Sequence, residues 1–183
     1  MNIINEKNGV EKYLMAVKPM YYNFETTVPF TVQRNIVIAG FPGVGKSYTE
    51  KVYTANCIDM ESSIYHWEPG TVVKTTNMYW PGNYIDAIFE RAYKNRWAKT
   101  YVLTSTYKEV LTGLKERGID FIIVAPYDKY EALRRYQRRG SPKNFIDSID
   151  KNWDTYMADL ESYGVHTIYT DMYLSNLICG GDR

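Results

Sequence analysis

Residues 36–47 read Ile-Val-Ile-Ala-Gly-Phe-Pro-Gly-Val-Gly-Lys-Ser, and this stretch decides the fold. Its first four residues form a continuous apolar run, which is typical of a strand buried on both faces of a parallel sheet. The eight residues 40–47 match the pattern G-x-x-x-x-G-K-[ST] at every position. A helix is predicted over residues 46–55. The motif therefore joins a buried strand to a helix, as a phosphate-binding loop requires.

The residue types in this loop suit a nucleoside triphosphate. Glycine lets backbone N–H groups turn inward around phosphate oxygens where a Cβ atom would clash, and the helix N-terminus adds the positive end of its dipole. Lys46 is predicted to reach the β- and γ-phosphates, and the Ser47 hydroxyl to bind the Mg²⁺ that bridges them. ATP is expected over GTP, since no Asn-Lys-x-Asp motif for reading guanine is present. The predicted nucleotide contacts are Gly40, Pro42, Gly43, Val44, Gly45, Lys46, Ser47 and Tyr48.

Downstream of the loop, strand-like and helix-like segments alternate, which predicts right-handed crossovers and a parallel sheet covered by helices on both faces. We therefore expect an α/β fold with three α/β/α layers and about five strands. Residues 1–33 lack clean periodicity and are interpreted as an N-terminal extension to a single domain, residues 34–183. The further predicted strands are 57–60, 100–104, 119–125 and 166–169, and the further predicted helices are 84–97, 108–117, 128–139 and 145–163.

Composition limits the class of protein. The chain has 183 residues, the size of one domain, with 22 Lys and Arg against 21 Asp and Glu. This near neutrality argues against a nucleic-acid partner. No apolar run approaches a membrane span, and polar residues occupy positions 5–8, so a cytoplasmic protein without a membrane partner is expected. Cys57 and Cys179 are expected to be ordinary reduced thiols, and the choice between monomer and homodimer stays open.

Carboxylate and hydroxyl side chains near strand ends are candidates for the metal and the phosphoryl acceptor. The predicted strands 100–104 and 119–125 carry no carboxylate at their ends, which argues against a motor-type or switch-type NTPase. Asp59 is instead predicted to bind Mg²⁺ or its water, or to orient the acceptor. Ser62 or Ser63, and Ser105, are candidates for contact with the acceptor. Loops that cap the following helices are the alternative interpretation.

Aromatic side chains lie near Pro and Gly in the predicted loops between residues 65 and 84. Tyr65, Trp80 or Tyr84 could stack on a base, but in a Tyr-rich chain such residues more often form the edge of the core. His66 and His166 lack the Ser or Cys partner pattern of a hydrolase.

The segment 128–140 is rich in arginine, since four of the nine arginines of the chain lie between positions 134 and 139. Between Lys129 and Lys143 there are six positive residues against a single carboxylate, Glu131. A solvated basic face is the alternative, but a phosphoryl group in transfer needs several cations around it. On a helical wheel, Tyr130, Leu133, Tyr136 and Gln137 form one face and the four arginines the opposite one.

This segment resembles the strand-to-lid segment of the nucleoside monophosphate kinases. The family pattern is Asp-x5-Arg-x3-Arg-Arg after an apolar strand, and the sequence matches it with Asp128, Arg134, Arg138 and Arg139. The resemblance implies that Arg134 lies against the nucleotide and Arg138 contacts its phosphates, both as catalytic residues. Arg139 or Arg135 would assist at the substrate, and residues 128–145 would close as a short lid.

The resemblance covers residues 35–65 and 100–165. The chain is also similar to small kinase-like P-loop proteins of bacteriophages. Residues 62–82 show no match to the monophosphate-binding helices of adenylate kinases, and residues 140–143 leave no room for a long lid.

The predicted function is an ATP-dependent phosphotransferase that moves the γ-phosphoryl group to a small acceptor, a nucleoside or deoxynucleoside monophosphate. One alternative is a kinase of a nucleoside, a polynucleotide end or another metabolite. The other is a nucleotide-binding regulator or slow NTPase whose arginines contact a macromolecular partner.

Overall fold

A computed structural model describes residues 33, 35–70, 74–94 and 101–178. The predicted N-terminal extension therefore lies outside the described residues, apart from Gln33, and so do Cys179 and the last residues of the helix predicted over 84–97. The Gln33 amide exchanges two hydrogen bonds with the backbone of Asp120, of 2.7 and 2.8 Å. These bonds join the start of the described domain to the beginning of a central strand.

Five parallel strands form the sheet, in the order β2-β3-β1-β4-β5. The first strand in the chain is the middle strand of the sheet, so the loop that follows it opens at the centre of the carboxyl edge. This confirms the predicted α/β class and the parallel, five-stranded sheet. The strands are β1 Ile36–Gly40, β2 Cys57–Asp59, β3 Tyr101–Thr104, β4 Phe121–Ala125 and β5 Thr167–Tyr169.

Helices cover both faces of this sheet. The described helices are α1 Lys46–Val52, α2 Ser63–His66, α3 Gly82–Lys94, α4 Lys108–Glu116, α5 Lys129–Arg138, α6 Lys143–Ser162 and α7 Leu174–Ile178. The chain moves outward from β1 to β2 through α1 and returns from β2 to β3 through α3, so right-handed crossovers place these two helices on opposite faces. In agreement, α1 packs against α7, and α3 packs against α4. The fold has the three predicted layers.

The core forms where β1 and β4 lie side by side. Val37, Ile38 and Ala39 are fully buried, and all five residues of β4 are buried, as the continuous apolar runs in the sequence predict. None of the helices in the described part of the chain has the length and apolar character to cross a membrane.

One helix boundary differs from its sequence prediction for a local reason, and two short helices were not predicted. The first helix ends at Val52 rather than at residue 55, because Tyr53 leaves the helical conformation with φ −123° and ψ 46°. The Tyr53 carbonyl then accepts from the backbone N–H groups of Asn56 and Cys57, both at 2.9 Å, in a turn that leads into β2. Helices α2 and α7 were not predicted, since four and five residues are too few to show a helical period.

The buried stripe of α5 is rotated from its predicted position. Ala132 and Tyr136 form its centre, whereas Tyr130 is 70% exposed and Gln137 is exposed. The helical wheel placed Tyr130 on the face opposite the arginines and did not include Ala132 in that face. Both assignments differ from the buried face that the structure shows. The rotation brings Arg135, with 9% of its side chain exposed, to the buried side of the helix.

Candidate phosphate-binding and acceptor site

The loop of residues 41–45 has a backbone that requires glycine at two positions. Gly43 and Gly45 have φ values of 85° and 97°, in the left-handed region that L side chains rarely adopt. A Cβ atom at Gly43 would also lie 2.5 Å from Cε1 of Tyr136, on α5. The two glycines therefore set the turn of the loop and allow α5 to approach it closely.

Three predicted site residues meet where the loop joins α1. Lys46 Nζ donates a 2.7 Å hydrogen bond to the Gly40 carbonyl, within its own loop. Ser47 Oγ donates a 2.7 Å hydrogen bond to Oδ2 of Asp59, the last residue of β2. The backbone N–H of Asp59 donates to Oε1 of Glu50 at 3.1 Å, which ties β2 to α1. The structure thus brings Lys46, Ser47 and Asp59 together, and their roles toward a ligand stay predictions.

Burial shapes the charges of this group. It lowers the pKa of Lys46 below its ordinary value, with a further lowering by the positive charge of Arg139, while the carboxylates of Asp59 and Glu61 oppose the effect. Burial likewise raises the pKa of Asp59, opposed by the hydrogen bond from Ser47 and the charge of Lys46. The ligand-free site therefore holds two ionisable groups whose charged forms are only partly compensated.

The residues present fit a magnesium ion. Oδ1 of Asp59 is buried and has no hydrogen-bond partner within the described part of the chain, next to the Ser47 hydroxyl. Mg²⁺ prefers hard oxygen ligands and keeps several waters beside one or two protein groups and the phosphates of a nucleotide. Ser47 and Asp59 are the protein groups that would hold it.

Two segments from outside the loop fix its position. The Tyr136 hydroxyl donates a 2.6 Å hydrogen bond to the Pro42 carbonyl. On another side, the backbone N–H of Leu174 donates to the Val44 carbonyl at 2.8 Å, and Tyr173 Cδ1 lies 3.1 Å from where a Cβ at Gly45 would be. The arginine-bearing helix α5 is therefore docked directly on the phosphate-binding loop.

Glu131 pairs with all three arginines of α5, and the fourth arginine of the cluster, Arg139, follows the helix as its C-cap. The Glu131 carboxylate accepts from Arg134 at 3.0 Å, from Arg135 at 3.1 Å and from Arg138 at 2.9 Å. The side chains of Arg134 and Arg138 remain 57% and 64% exposed, so they are accessible to a ligand. The pKa of Glu131 is lowered by the hydrogen bonds from Arg134 and Arg135 and by the charges around it.

The two arginines predicted to assist lie closer to the loop. The Arg135 guanidinium stacks 4.5 Å from the ring of Tyr173 and donates to the Asp171 carbonyl. The Arg139 guanidinium lies 5.0 Å from the Tyr136 ring, and its charge acts on Lys46. Arg135 is therefore the largely buried member of the cluster, whereas Arg134, Arg138 and Arg139 are exposed, a division that the sequence pattern does not reveal.

The ends of β2 and β3 are joined through one buried tyrosine. The Tyr84 hydroxyl donates to the Met60 carbonyl, and it accepts from Thr104 Oγ1 at 2.9 Å and from the Ser105 backbone N–H at 3.4 Å. Burial raises the pKa of Tyr84 to about 12, so this hydroxyl stays protonated. Ser105 Oγ lies close to it, yet within the described residues no well-formed hydrogen bond engages that buried atom.

The capping alternative for the serines is not observed. Ser62 occupies the N-cap position of α2 and Tyr107 that of α4, and neither side chain makes a capping hydrogen bond. Ser62 and Ser105 are both half-buried, and they lie shortly after the ends of β2 and β3. They stay candidates for contact with the acceptor.

Aromatic rings line the same strand ends. Trp80 is stacked between His66, at 4.5 Å between ring centroids, and Tyr84, at 5.4 Å. Tyr84 is fully buried, so its ring belongs to the core, and Tyr65 packs on it at 5.1 Å. The sequence analysis did not predict that His66 belongs to this stack. Its position is set by the short helix α2 after β2, and no regular spacing in the sequence marks it.

No protein-family model matches this sequence, and no curated protein matches it. Among solved structures, the fold is similar to that of a gluconokinase from Sinorhizobium meliloti 1021, at 18% identity and a TM-score of 0.48, over 80% of this chain and 88% of that chain. It is also similar to the tunicamycin resistance protein of Deinococcus radiodurans, at 14% identity and a TM-score of 0.47, over 78% of this chain and 89% of that chain. Likeness at this level carries no argument about activity, so the resemblance to nucleoside monophosphate kinases and to phage proteins stays a prediction.

Proposed function

We propose that this protein is a phosphotransferase that moves the γ-phosphoryl group of ATP to a small-molecule acceptor, with Mg²⁺ as cofactor. One observation carries the proposal. A complete phosphate-binding motif, with the pair Ser47 and Asp59 beside Lys46, lies directly under an arginine-bearing helix that is hydrogen-bonded to it through Tyr136 and Pro42. Phosphoryl transfer depends on positioning and on cations around the transferred group, and this arrangement supplies both.

Each residue has a task that follows from its present contacts. Lys46 exchanges its bond to the Gly40 carbonyl for phosphate oxygens, which costs little because a neutral acceptor is replaced by an anionic one. Arg134 and Arg138 are exposed and turn from Glu131 toward the phosphates, while Arg135 stays anchored against Tyr173 and the exposed Arg139 lies over Tyr136. When bound, Mg²⁺ neutralises charge on the phosphates. Asp59 and Ser47 orient that cation, and α5 with the loop excludes water.

The acceptor is the finer part of the proposal. On the resemblance of the arginine segment, the sequence predicts a nucleoside or deoxynucleoside monophosphate. The resemblance concerns α5, which lies on the nucleotide side of the loop, so it bears on the donor more directly than on the acceptor. We further propose a cytoplasmic enzyme whose partners are small molecules.

A coupled assay of ADP release tests the function. Purified protein is given Mg²⁺ and ATP with a panel of nucleosides, nucleoside monophosphates, sugars and sugar phosphates. The expected result is a rate that rises at least about tenfold with one class of acceptor. ADP release at the same rate with and without every acceptor would show a slow NTPase and contradict the proposal.

A further inference from the structure

The surface at the carboxyl ends of β2 and β3 has a character of its own. We call it the acceptor wall, and define it by Asp59, Glu61, Trp80, Ser105 and Tyr107. The Tyr84 hydroxyl joins the two strand ends beneath it, since it bonds to the Met60 carbonyl and to the backbone of Ser105. Asp59 also accepts the hydrogen bond from Ser47, so the acceptor wall adjoins the phosphate-binding loop.

The charged groups of the acceptor wall are carboxylates. Glu61 is exposed and held at the start of α2, where its Oε1 accepts from the Ser63 backbone N–H at 3.2 Å. The negative charge of Glu61 acts to raise the pKa of Lys46, of Asp59 and of Tyr107, so Glu61 lies near all three residues. Glu109 follows, with its Oε1 accepting from Trp80 Nε1 at 3.1 Å. Both carboxylates lack a salt bridge in the described part of the chain.

The nearby cations of the described residues are engaged elsewhere. Lys108, next to Tyr107, lies 3.9 Å from Asp159 on α6. Lys74 lies over the ring of Trp67, 5.4 Å from its centroid. Arg134, Arg135 and Arg138 pair with Glu131, and Arg139 donates to Ser141 Oγ at 2.6 Å. Lys46 does interact with Asp59 and Glu61, but in the proposed function it serves the phosphates of the donor. A dianionic phosphate on the acceptor would therefore meet two carboxylates that no salt bridge neutralises.

One buried polar atom of the wall is available to a hydroxyl group. Ser105 Oγ has no well-formed hydrogen bond among the described residues, and buried polar atoms seldom stay unpaired without a ligand or water. Tyr107 packs edge-on against Trp80, with 5.7 Å between ring centroids and 87° between planes, and is 45% exposed, so its ring is the one that a flat or ring-shaped molecule can contact.

On the basis of the proposed phosphotransfer, we infer that the acceptor is an uncharged ring compound with a free hydroxyl group, a nucleoside or a sugar, and not a monophosphate. The acceptor oxygen forms a bond to the γ-phosphorus while the bond from that phosphorus to the bridging oxygen breaks. ADP leaves with the electron pair, and the hydroxyl proton passes to solvent. Ser105 orients the hydroxyl, and Glu61 disfavours anionic competitors.

Matched pairs of acceptors test this inference. The value of kcat/KM is measured for the four deoxynucleosides against their 5′-monophosphates, and for neutral hexoses against their 6-phosphates, with γ-labelled ATP. We expect the better neutral compound to exceed its phosphorylated partner by at least about tenfold. The two families of pairs also distinguish a nucleoside from a sugar.

A charge reversal in the wall sharpens the test. Glu61→Lys is expected to reduce the ratio of kcat/KM between neutral and phosphorylated acceptors, because repulsion of the phosphate is replaced by attraction. Glu116→Lys makes the same change at an exposed position at the far end of α4 and is expected to leave this ratio unchanged. Monophosphates that equal or exceed their neutral partners in the wild-type protein would overturn the inference while phosphotransfer stands. Label that reaches no acceptor of either kind would overturn phosphotransfer itself.

Discussion

The phosphate side of the cleft, built from residues 40–47 and α5, is held by backbone conformation and lined by cations. The acceptor wall is held by side chains and lined by carboxylates and rings. The left-handed conformation of Gly43 and the hydrogen bond from Tyr136 to Pro42 fix the phosphate side. The acceptor wall depends on the hydroxyl of Tyr84 and on the ring stack around Trp80. The two sides meet at Asp59. In the proposed phosphotransfer, the phosphate side would attract the anionic donor, whereas the acceptor wall would disfavour an anionic acceptor.

The largest expected effect comes from removing the central cation of the phosphate side. Lys46→Ala should lower kcat by about 10³-fold or more, because Lys46 is the positively charged side chain of the loop itself. The protein should stay folded, since burial already disfavours the charge of Lys46. Lys51→Ala, exposed in the last turn of the same helix, is the matched control and should retain wild-type rates. Comparable losses in both variants, measured by ADP release, would remove the special role of Lys46.

A second substitution separates the exposed arginines from the rest of the basic segment. Arg138→Ala should lower kcat by about 10²-fold, with a smaller change in the KM for the acceptor, since Arg138 acts on the transferring group. Lys143→Ala removes a charge that is 88% exposed and paired with Asp147, and it should have little effect. Equal rates for the Arg138→Ala variant and the wild type would mean that α5 serves only to position the loop.

Asp59 belongs to both sides, and its substitution should separate stability from activity. Burial raises its pKa, so the ionised carboxylate disfavours the ligand-free fold above both the folded and the ordinary pKa, and this cost disappears below the ordinary value of about 3.9. The Asp59→Asn variant should therefore have a Tm a few degrees above that of the wild type at pH 8, and this difference in Tm should disappear as the pH falls toward 4. Phosphotransfer should be lost at every pH.

Thermal unfolding of the ligand-free proteins at pH 8 and pH 4 checks the stability half of this prediction. Ser162→Ala, far from the cleft, serves as the reference variant for the pH series. A Tm gap of the same size at both pH values would show that the carboxylate charge is not the cause.

The smallest effect concerns the bond between α5 and the loop. Tyr136→Phe removes one hydrogen bond of 2.6 Å and should lower the free energy of unfolding by about 0.5–1.5 kcal/mol. Tyr130→Phe, on the exposed face of the same helix, should change it by less than about 0.5 kcal/mol. Urea unfolding gives both values, and indistinguishable variants would mean that packing alone docks α5 on the loop.

The fold and the phosphate side could be predicted because both depend on short-range patterns. The buried run of β1, the glycines that the loop conformation requires, and Lys46 beside Ser47 all lie within twelve consecutive residues. Asp59 was a candidate because it is a carboxylate at the end of the next predicted strand, and the structure places it against Ser47. In each case the pattern lies within a short stretch of sequence.

The acceptor wall could be predicted only in part, because it depends on contacts between distant segments. The distance from Trp80 to His66 and Glu109 is set by how α2, α3 and α4 pack, which no local period encodes. The rotation of α5 has the same origin, since Gly43 accommodates Tyr136 and so turns Ala132 inward. The role of Glu131 as a common partner of three arginines was likewise hidden in the sequence, where it reads as one isolated carboxylate.

Transfer of the γ-phosphoryl group and simple hydrolysis of ATP differ in where that group ends. A single-turnover reaction with γ-labelled ATP, Mg²⁺ and the best acceptor of the panel distinguishes the two, because it shows where the label goes. We expect label in the acceptor at a rate that depends on acceptor concentration, and none in the Lys46→Ala variant. Label released only as inorganic phosphate, at a rate that no acceptor changes, would exclude phosphotransfer.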